Sequence, residues 1–239
     1  LRLNNNMDFT VVDYHQPMLY YSLQLPQRMI EHGGQPINPI TNPDGRWTYA
    51  AVLNGYAGFA EGSSYQQDDK FTMKDKLGIE IDVVKDVLKI SGDLSYLFAR
   101  NKRERVTNMY TGYRGPDTPI TVNESQGSTL ENLRQDTNYL SSNIYGEYTP
   151  KLGDDHTLKL LAGWNLETKK YRGTTIKREG LTVPSKPSFG LMDGLTSDPV
   201  VSGYDWSYVG AFFRANYGYQ GKYLAEFSCR YDGSSKFLP

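Results

Sequence analysis

The chain has 239 residues and a formal net charge of −1 at pH 7, so charge favours neither a nucleic-acid partner nor an anionic membrane surface. Its single cysteine, Cys229, excludes a disulfide or a thiolate metal site within the chain. No run of about 18 apolar residues occurs, so we expect no membrane-spanning helix.

The first predicted strand covers about residues 2–14, where apolar residues such as Leu3 and Phe9 alternate with polar ones. A segment rich in Pro, Gly, Asn, Tyr and Gln follows over about residues 15–69. Its Asn-Pro-Asp-Gly run at 42–45 predicts a turn, because Pro43 restricts φ and Asp-Gly is a turn pair. A short helix is expected over residues 25–32.

Two strong strands are predicted next, over residues 71–83 and 88–98, with a tight turn near Lys85 and Asp86 between them. Alternate residues of both are apolar, which puts the apolar side chains on one face. Asp75 is the one charge in the second strand's apolar row, and we expect it at or above the edge of that face. Residues 102–137 show no regular period.

A fourth strand over about residues 138–149 carries Leu140, Ile144 and Tyr148 on one face. A short turn at residues 153–155 connects it to a fifth, over about residues 158–167. Another irregular stretch, about residues 172–205, is then expected before the final hairpin.

The final hairpin, residues 206–239, has the clearest alternation. Odd positions from Val209 to Tyr219 are apolar or aromatic, and the odd row resumes from Tyr223 to Tyr231 after a turn at residues 220–222. Phe212 and Leu224 are exceptions on the polar face. Cys229 falls in the apolar row, where we interpret it as a small buried hydrophobe. Each strand is long enough to cross a bilayer at a tilt, which needs about 9–11 residues.

The predicted connections alternate between long and short, as in outer-membrane barrels with long external loops and short periplasmic turns. We therefore predict an all-β fold: an antiparallel transmembrane β-barrel segment of about seven strands. Tyrosines near the predicted short turns, on the outward face, suit an interfacial girdle; they are Tyr148, Tyr217, Tyr219 and Tyr223. The alternative is a soluble sheet whose apolar rows pack on a second sheet.

Polar residues of the final hairpin are expected to face the lumen: Arg214, Asn216, Glu226, Arg230 and Asp232. They could contact a plug or line a substrate path. Alternatively, they form a cross-strand ladder that pairs Arg214 with Glu226.

Aromatic residues of the predicted loops suit stacking on sugar rings, and Arg114 and Asp117 could add planar polar groups beside them. The candidate substrate or lid contacts are Trp47, Tyr49, Tyr110, Tyr113, Arg114, Asp117, Tyr204 and Trp206, with residues 110–117 preferred. Packing of one loop against another would explain the same aromatics. The three histidines lack metal-ligand spacing, and no catalytic set or cofactor motif is evident, so we expect neither an enzyme nor a cofactor.

The final hairpin resembles a known family. Gly210-Ala211-Phe212-Phe213-Arg214-Ala215-Asn216-Tyr217, Gly221-Lys222-Tyr223-Leu224 and Arg230-Tyr231-Asp232-Gly233-Ser234-Ser235-Lys236-Phe237 are similar to the barrel signature of SusC/RagA-type TonB-dependent transporters. The stretch from Pro39 to Trp47 is similar to a loop of the same family, and the resemblance runs loosely along the whole chain.

The resemblance implies a 22-stranded barrel in the Gram-negative outer membrane that imports oligosaccharides or oligopeptides. It also implies a SusD-like surface lipoprotein as lid, a plug in the lumen, and energy from TonB through an N-terminal box. Neither the plug nor that box is recognisable in residues 1–239, so we expect an internal barrel piece, surrounded by the remainder of the barrel and by lipid. The competing hypothesis from the residues is a soluble β-sheet carbohydrate-binding module.

Overall fold

The computed structural model describes residues 1–17, 39–53, 55–115, 118–122 and 127–237. The predicted helix at residues 25–32 and the candidate residue Asp117 lie outside these ranges. Within them, no helix is both long enough and apolar enough to span a membrane.

The described residues form strands and two short helices. The strands are β1 (Arg2–Pro17), β2 (Tyr65–Val84), β3 (Leu88–Thr107), β4 (Tyr110–Tyr113), β5 (Pro119–Val122), β6 (Thr129–Tyr148), β7 (His156–Glu179), β8 (Val200–Tyr219) and β9 (Tyr223–Ser234). The helices are α1 (Tyr49–Leu53) and α2 (Tyr56–Glu61), and one 3-10 turn spans Phe189–Leu191. Seven strands form one antiparallel sheet in the order β1-β2-β3-β6-β7-β8-β9, and β4 pairs with β5 separately.

This sheet confirms the predicted all-β fold and its alternating connections, but the strand bounds on the long-loop side were wrong. β3 continues to Thr107 and β6 begins at Thr129, so most of residues 102–137 is not irregular. Likewise β7 runs to Glu179 and β8 begins at Val200. These added strand segments carry polar side chains on both faces. Their sequences therefore show no alternation of apolar and polar residues, although their backbones pair as in the rest of the sheet.

The short connections are tight turns. Between β8 and β9, Gln220 and Gly221 both have positive φ, 52° and 64°, and Lys222 N donates to Tyr219 O at 3.0 Å. Two successive positive φ values give a hairpin the twist of its flanking strands. Asp86 likewise adopts φ 60° between β2 and β3.

The strand registers place all the apolar rows on one face. Leu77 pairs with Leu94, Leu158 with Tyr217, and Phe213 with Cys229. We call this face the apolar belt; its members include Leu3, Phe9, Phe71, Leu77, Ile79, Ile81, Ile90, Leu94, Phe98, Leu140, Ile144, Leu158, Leu160, Leu166, Val209, Phe213, Phe227 and Tyr231.

No described part of the chain covers the apolar belt. Leu77 is 50% exposed, Ile144 52% and Phe227 60%. Cys229 is exposed as well, so the expectation of a buried cysteine was wrong: its row is apolar, but no described residue covers it. An apolar surface of this extent marks a binding or membrane face rather than a core.

The upper edge of the belt, on the long-loop side, crosses the strands obliquely. The last apolar residue of each of three successive strands pairs with a polar residue of the next: Phe71 with Arg100, Phe98 with Asn138, and Leu140 with Thr168. The edge therefore steps down by two residues at each of these three strand pairs. A stepped edge is expected where a level belt crosses tilted strands, as in outer-membrane barrels.

Asp75 lies inside the belt rather than at its edge, since Met73 and Phe71 continue the same row beyond it. Its carboxylate is paired: Asn5 Nδ2, on the neighbouring strand, donates to Asp75 Oδ1 at 2.7 Å. Pairing, rather than exclusion from the apolar face, thus accommodates the polar group.

The two apolar exceptions on the polar face each lie against a glycine. Phe212 is paired with Gly163, and a Cβ on Gly163 would lie 2.8 Å from Phe212 Cε2. Leu224 is paired with Gly218, whose Cβ would lie 3.2 Å from Leu224 Cδ2. Each large side chain fills the space that its glycine partner leaves.

The buried hydrophobic residues lie beyond the belt, near the long connections. One cluster contains Val52, Ala57 and Tyr110. The other contains Val106, Leu130 and Met192, with Leu181 and Phe189 packed against it. Small cores therefore order the long loops, whereas the sheet itself is a single layer.

Candidate functional site

The first candidate site is a compact unit built from the β1–β2 and β3–β6 connections, which we call the loop unit; it comprises residues 39–63, β4 and β5. Thr48 starts α1 with a side-chain cap, because its Oγ1 accepts a hydrogen bond from Ala51 N at 3.1 Å. Trp47 and Tyr49, at this helix start, pack against Val52 and Tyr110. The structure therefore brings together four of the predicted aromatics, because Tyr113 lies on the same β4 strand as Tyr110.

A close backbone approach joins the two halves of the loop unit. Tyr113 N donates to Trp47 O at 2.9 Å, and Thr48 forms a parallel bridge with Tyr113. A Cβ on Gly112 would lie 2.7 Å from Tyr49 Cα. Only glycine fits between these backbones without a shift.

Tyr110 is 5% exposed and acts as the centre of the loop unit. Its hydroxyl donates to Ser64 Oγ at 2.8 Å and lies 3.0 Å from Ser63 Oγ. The ring of Tyr110 is part of the buried cluster and its hydroxyl is hydrogen-bonded, so Tyr110 provides a fixed surface on which Trp47 and Tyr49 pack.

Two arginines cover the rings of the loop unit. Arg46 Cζ lies 4.3 Å from the centre of the Tyr113 ring, and Arg114 Cζ lies 4.4 Å from that of Tyr49. Arg46 also donates from Nε to Asp44 Oδ2 at 2.7 Å, and this hydrogen bond holds the pKa of the Asp44 carboxyl below its usual range. A ligand that stacks on either ring would have to displace an exposed guanidinium, which costs little.

Tyr204 and Trp206 were expected in a loop, but both lie within β8, on its polar face. They join an aromatic patch, which we call the wall patch: Tyr139, Tyr171, Tyr204 and Trp206. Tyr171 stacks on Tyr204 with ring centres 5.1 Å apart, and Tyr139 meets Trp206 at 6.2 Å.

Polar partners hold the wall patch. Tyr139 OH donates to Glu167 Oε2 at 2.8 Å, and Gln135 Nε2 donates to Tyr171 OH at 2.8 Å. Lys236 Nζ lies 4.5 Å from the Trp206 ring centre. The sequence reasoning missed Tyr139 and Tyr171. Tyr139 lies on the face opposite to Leu140 in the predicted fourth strand, and the row through Glu167, extended upward, would have placed Tyr171 on that same face.

The polar residues of the final hairpin share one face with the wall patch. Arg214 Nε lies 3.8 Å from Glu226 Oε1, which is the cross-strand pair of the ladder interpretation. Asn216 stands opposite Glu226 in the register. These contacts stabilise the register of β8 and β9. The charged side chains of Arg214 and Glu226 remain more than half exposed on this face.

Arg230 connects three strands on the same face. It donates to Asp232 Oδ1 on its own strand at 2.7 Å, to Tyr208 OH on β8 at 2.8 Å, and to Asn165 Oδ1 on β7 at 3.0 Å. The Arg-x-Asp pair of the signature thus fixes the last hairpin to the rest of the sheet. No set of three or more His, Cys, Asp or Glu that could hold a metal occurs among the residues described here.

The comparisons with known proteins bear on the fold. No family model and no curated protein matches the chain. Its fold is similar to part of a peptide transporter. The solved RagAB peptide transporter matches at 18% identity with a TM-score of 0.51, over 73% of this chain and 18% of that one. The RagAB peptide importer in its open-open state matches at 17% identity with a TM-score of 0.54, again over 73% and 18%.

These similarities concern a limited part of the solved proteins. The chain spans 18% of the length of the two RagAB chains. At this identity the likeness establishes the fold: a run of adjacent antiparallel strands like those of the transporter.

Proposed function

We propose that this chain is part of the β-barrel of an outer-membrane, TonB-dependent importer of oligosaccharides or oligopeptides. In this proposal the apolar belt faces lipid, the opposite face lines the lumen or contacts a plug, and the loop unit lies outside the cell. A SusD-like lipoprotein covers the loops, and TonB acts through parts of the protein beyond these residues.

The single observation that carries the proposal is the uncovered, obliquely bounded apolar belt. A soluble sheet leaves one face wet and packs the other, whereas here the apolar face has no partner among the described residues. At the level of the belt, the opposite face carries ion pairs: Lys76–Asp93, Lys89–Glu80, Lys159–Glu147 and Arg214–Glu226. A lipid-facing band with a polar interior accounts for both faces. The fold of the RagAB peptide importer supports the same assignment.

Two surfaces are candidates for substrate within the proposed importer. The wall patch offers flat aromatic rings beside Glu167, Lys169 and Lys236 on the proposed lumen side. Trp47, Tyr49 and Tyr113 with Arg114 offer half-buried rings in the loop unit. Aromatic faces with nearby planar polar groups suit sugars, and the same surfaces suit peptide side chains.

The membrane assignment is tested on the full protein that contains this chain. We expect it to remain in the membrane fraction after a high-salt wash and to need detergent for extraction. Recovery in a buffer without detergent, together with a cooperative melt of residues 1–239 alone, would favour the soluble carbohydrate-binding module instead.

The substrate assignment is tested with one tryptophan on each face of the sheet. Trp206→Ala removes a ring of the wall patch, whereas Trp164→Ala removes one from the apolar belt, where Trp164 is 39% exposed. We expect uptake of oligosaccharides or oligopeptides to fall on the order of tenfold for the first, as for the loss of one stacked ring. Equal uptake by both variants would remove the wall patch from the substrate path.

A further inference from the structure

The upper part of β8 has a paired neighbour on only one side. β7 pairs with β8 up to Val200, at the upper end of the strand. The pairing of β8 with β9 reaches only as far as Tyr208, which lies opposite Ser234. Within the described part of the chain, residues 200–206 therefore form a strand edge without a partner strand. We call these residues the β8 edge.

A serine turn ends the pairing with β9. Ser207 N donates to Ser235 Oγ at 2.8 Å, and Ser235 N donates to Ser207 O at 2.9 Å. Ser234 then accepts hydrogen bonds from Lys236 N at 3.3 Å and from Phe237 N at 3.4 Å. These contacts form a turn directly after the Asp-Gly-Ser-Ser run of the signature, so β9 does not continue alongside the β8 edge.

The β8 edge presents a regular row of backbone groups. Successive residues of an antiparallel strand direct their N–H and C=O groups to opposite sides. Ser207 bonds toward β9, so Asp205, Gly203 and Val201 direct their backbone groups to that same side. The described residues provide no backbone partner for these three on that side. A donor and an acceptor therefore recur every two residues, about 7 Å apart.

The β8 edge lacks the usual protection of an edge strand. Natural sheets block free edges with lysine, proline, a β-bulge or a covering segment. Residues 200–206 contain no lysine or proline, and their register with β7 is continuous. Their one charged side chain, Asp205, is held by Arg172 at 2.6 and 2.8 Å. Val201 is 72% exposed, so the edge is open to a second backbone.

An extended peptide is the class of ligand that this row of backbone groups fits. Its own N–H and C=O groups alternate with the same repeat, so it can add to the sheet as a further strand. Sugar hydroxyls each both donate and accept, and they have no such alternation. Side chains of an added strand alternate between the two faces. On the polar face they would lie beside Tyr204 and Trp206, which belong to the wall patch.

We propose that the β8 edge binds an oligopeptide in extended conformation as an added β-strand. The peptide backbone pairs with Val201, Gly203 and Asp205, and every second peptide side chain contacts Tyr204 or Trp206. Backbone pairing supplies affinity for any extended sequence, whereas the rings favour apolar and aromatic side chains. This inference rests on the proposed function, and within it assigns this edge to peptides rather than to oligosaccharides.

The test uses the full protein that contains this chain, purified in detergent with any subunit that co-purifies. The probes are a pool of random decapeptides, the same pool with every backbone amide N-methylated, and maltoheptaose. Hydrogen exchange is followed at single residues. We expect saturating decapeptides to slow exchange of the amides of Val201, Gly203 and Asp205 about tenfold, and to leave those of Ser202 and Tyr204, which face β7, unchanged.

One pair of variants at a single position separates the backbone donor from the side chain. Val201→Pro removes an N–H group from the β8 edge, and since this group does not face β7, the β7–β8 ladder stays intact. Val201→Ala shortens the side chain but keeps the N–H group, and is the matched control. We expect Val201→Pro to bind the decapeptide pool about fivefold more weakly, as for the loss of one hydrogen bond, and Val201→Ala to bind it normally.

Equal binding of the N-methylated and unmethylated pools, by a protein that stays in the membrane fraction, would overturn strand addition and leave the importer proposal intact. Binding of peptides without slower exchange at the β8 edge, or slower exchange with maltoheptaose alone, would overturn it as well. Slow exchange before any probe is added would mean that another segment or subunit already covers the edge, which also contradicts the inference. Release of the unmodified protein from membranes without detergent would overturn the proposed function itself.

Discussion

Arg230 Nη2 donates a hydrogen bond to Asn165 Oδ1 at 3.0 Å, across the whole width of β8. The contact passes beside Gly210, which pairs with Asn165 on one side and with Asp232, the carboxylate partner of Arg230, on the other. A Cβ on Gly210 would lie 2.7 Å from Arg230 Nη2 and 2.6 Å from Asp232 Oδ1. A glycine in the signature therefore has a packing reason: it leaves room for an arginine that connects three strands.

Gly210→Ala should displace Arg230 from Asn165 and lower the thermal unfolding temperature of the detergent-solubilised protein. The expected loss is about 1.5–3 kcal/mol, the range for a hydrogen bond to a charged group. Gly233→Ala is the control, because its Cβ would have no neighbour closer than 4.0 Å. Similar losses for both variants would contradict the three-strand connection.

Gly163→Ala tests the packing of Phe212 on the polar face. The new Cβ would lie 2.6 Å from Tyr145 Cβ, an atom that cannot move away without its backbone. We expect a loss of about 1–3 kcal/mol in the stability of the sheet, as for other overpacked sites. Gly146→Ala, where the nearest atom is Lys89 O at 3.9 Å, should be almost neutral in the same melting experiment.

The pair formed by Asn5 and Asp75 tests how the apolar belt tolerates a carboxyl group. Asn5→Leu leaves Asp75 unpaired in apolar surroundings and should destabilise the protein by about 1–3 kcal/mol or more. Asn5→Leu/Asp75→Leu should recover most of that loss. In a double-mutant cycle on unfolding temperature, strictly additive effects would mean that the two side chains do not interact.

Gly112→Ala should loosen the loop unit without affecting the barrel. Its Cβ would meet the backbone at Tyr49 Cα and at Thr48 O, 2.7 and 3.0 Å away. We expect faster proteolysis within residues 39–63 and an unchanged unfolding temperature of the sheet. Gly115→Ala has open space around the added methyl group and should be cleaved at the original rate.

The turn at Asp44 predicts a pH response of the loop unit. Because Arg46 lowers the pKa of Asp44 in the folded chain, this pair stabilises the turn above the ordinary carboxyl pKa, and the contribution is lost as pH falls through the lowered value. Hydrogen exchange of residues 40–48, corrected for intrinsic rates, should therefore be constant from neutral pH to about pH 4 and faster below. Asp44→Asn should abolish that acid step.

Much of the fold could be predicted from alternation alone. The rows through Ile79, Leu94, Leu158 and Phe213 were assigned to one face, and the register confirms that they share it. The same reasoning did not predict the part of β3 beyond Phe98 or the part of β8 before Trp206. Where both faces of a strand are wet, hydrophobicity has no period, and only the pairing of backbones continues the strand.

The loop residues were predicted with less success for a related reason. Tyr110 was predicted as a substrate or lid contact because loop aromatics suit stacking on sugar rings, and its burial in the loop unit fits the alternative of loop packing. Tyr171, which stacks on Tyr204, drew no attention because its strand was taken to end earlier. Side chains that are distant in the sequence come into contact through tertiary packing, and local sequence patterns do not predict these contacts.

The amino-acid sequence by itself determined which residues are apolar, their period of two, and the alternation of long and short connections, because these follow from local composition and turn chemistry. Only the tertiary structure decided the oblique edge of the belt, the pairing of Asn5 with Asp75, and the hydrogen bond from Arg230 to Asn165. Each of these depends on strand register, which is set by the pairing of whole strands and not by any one of them.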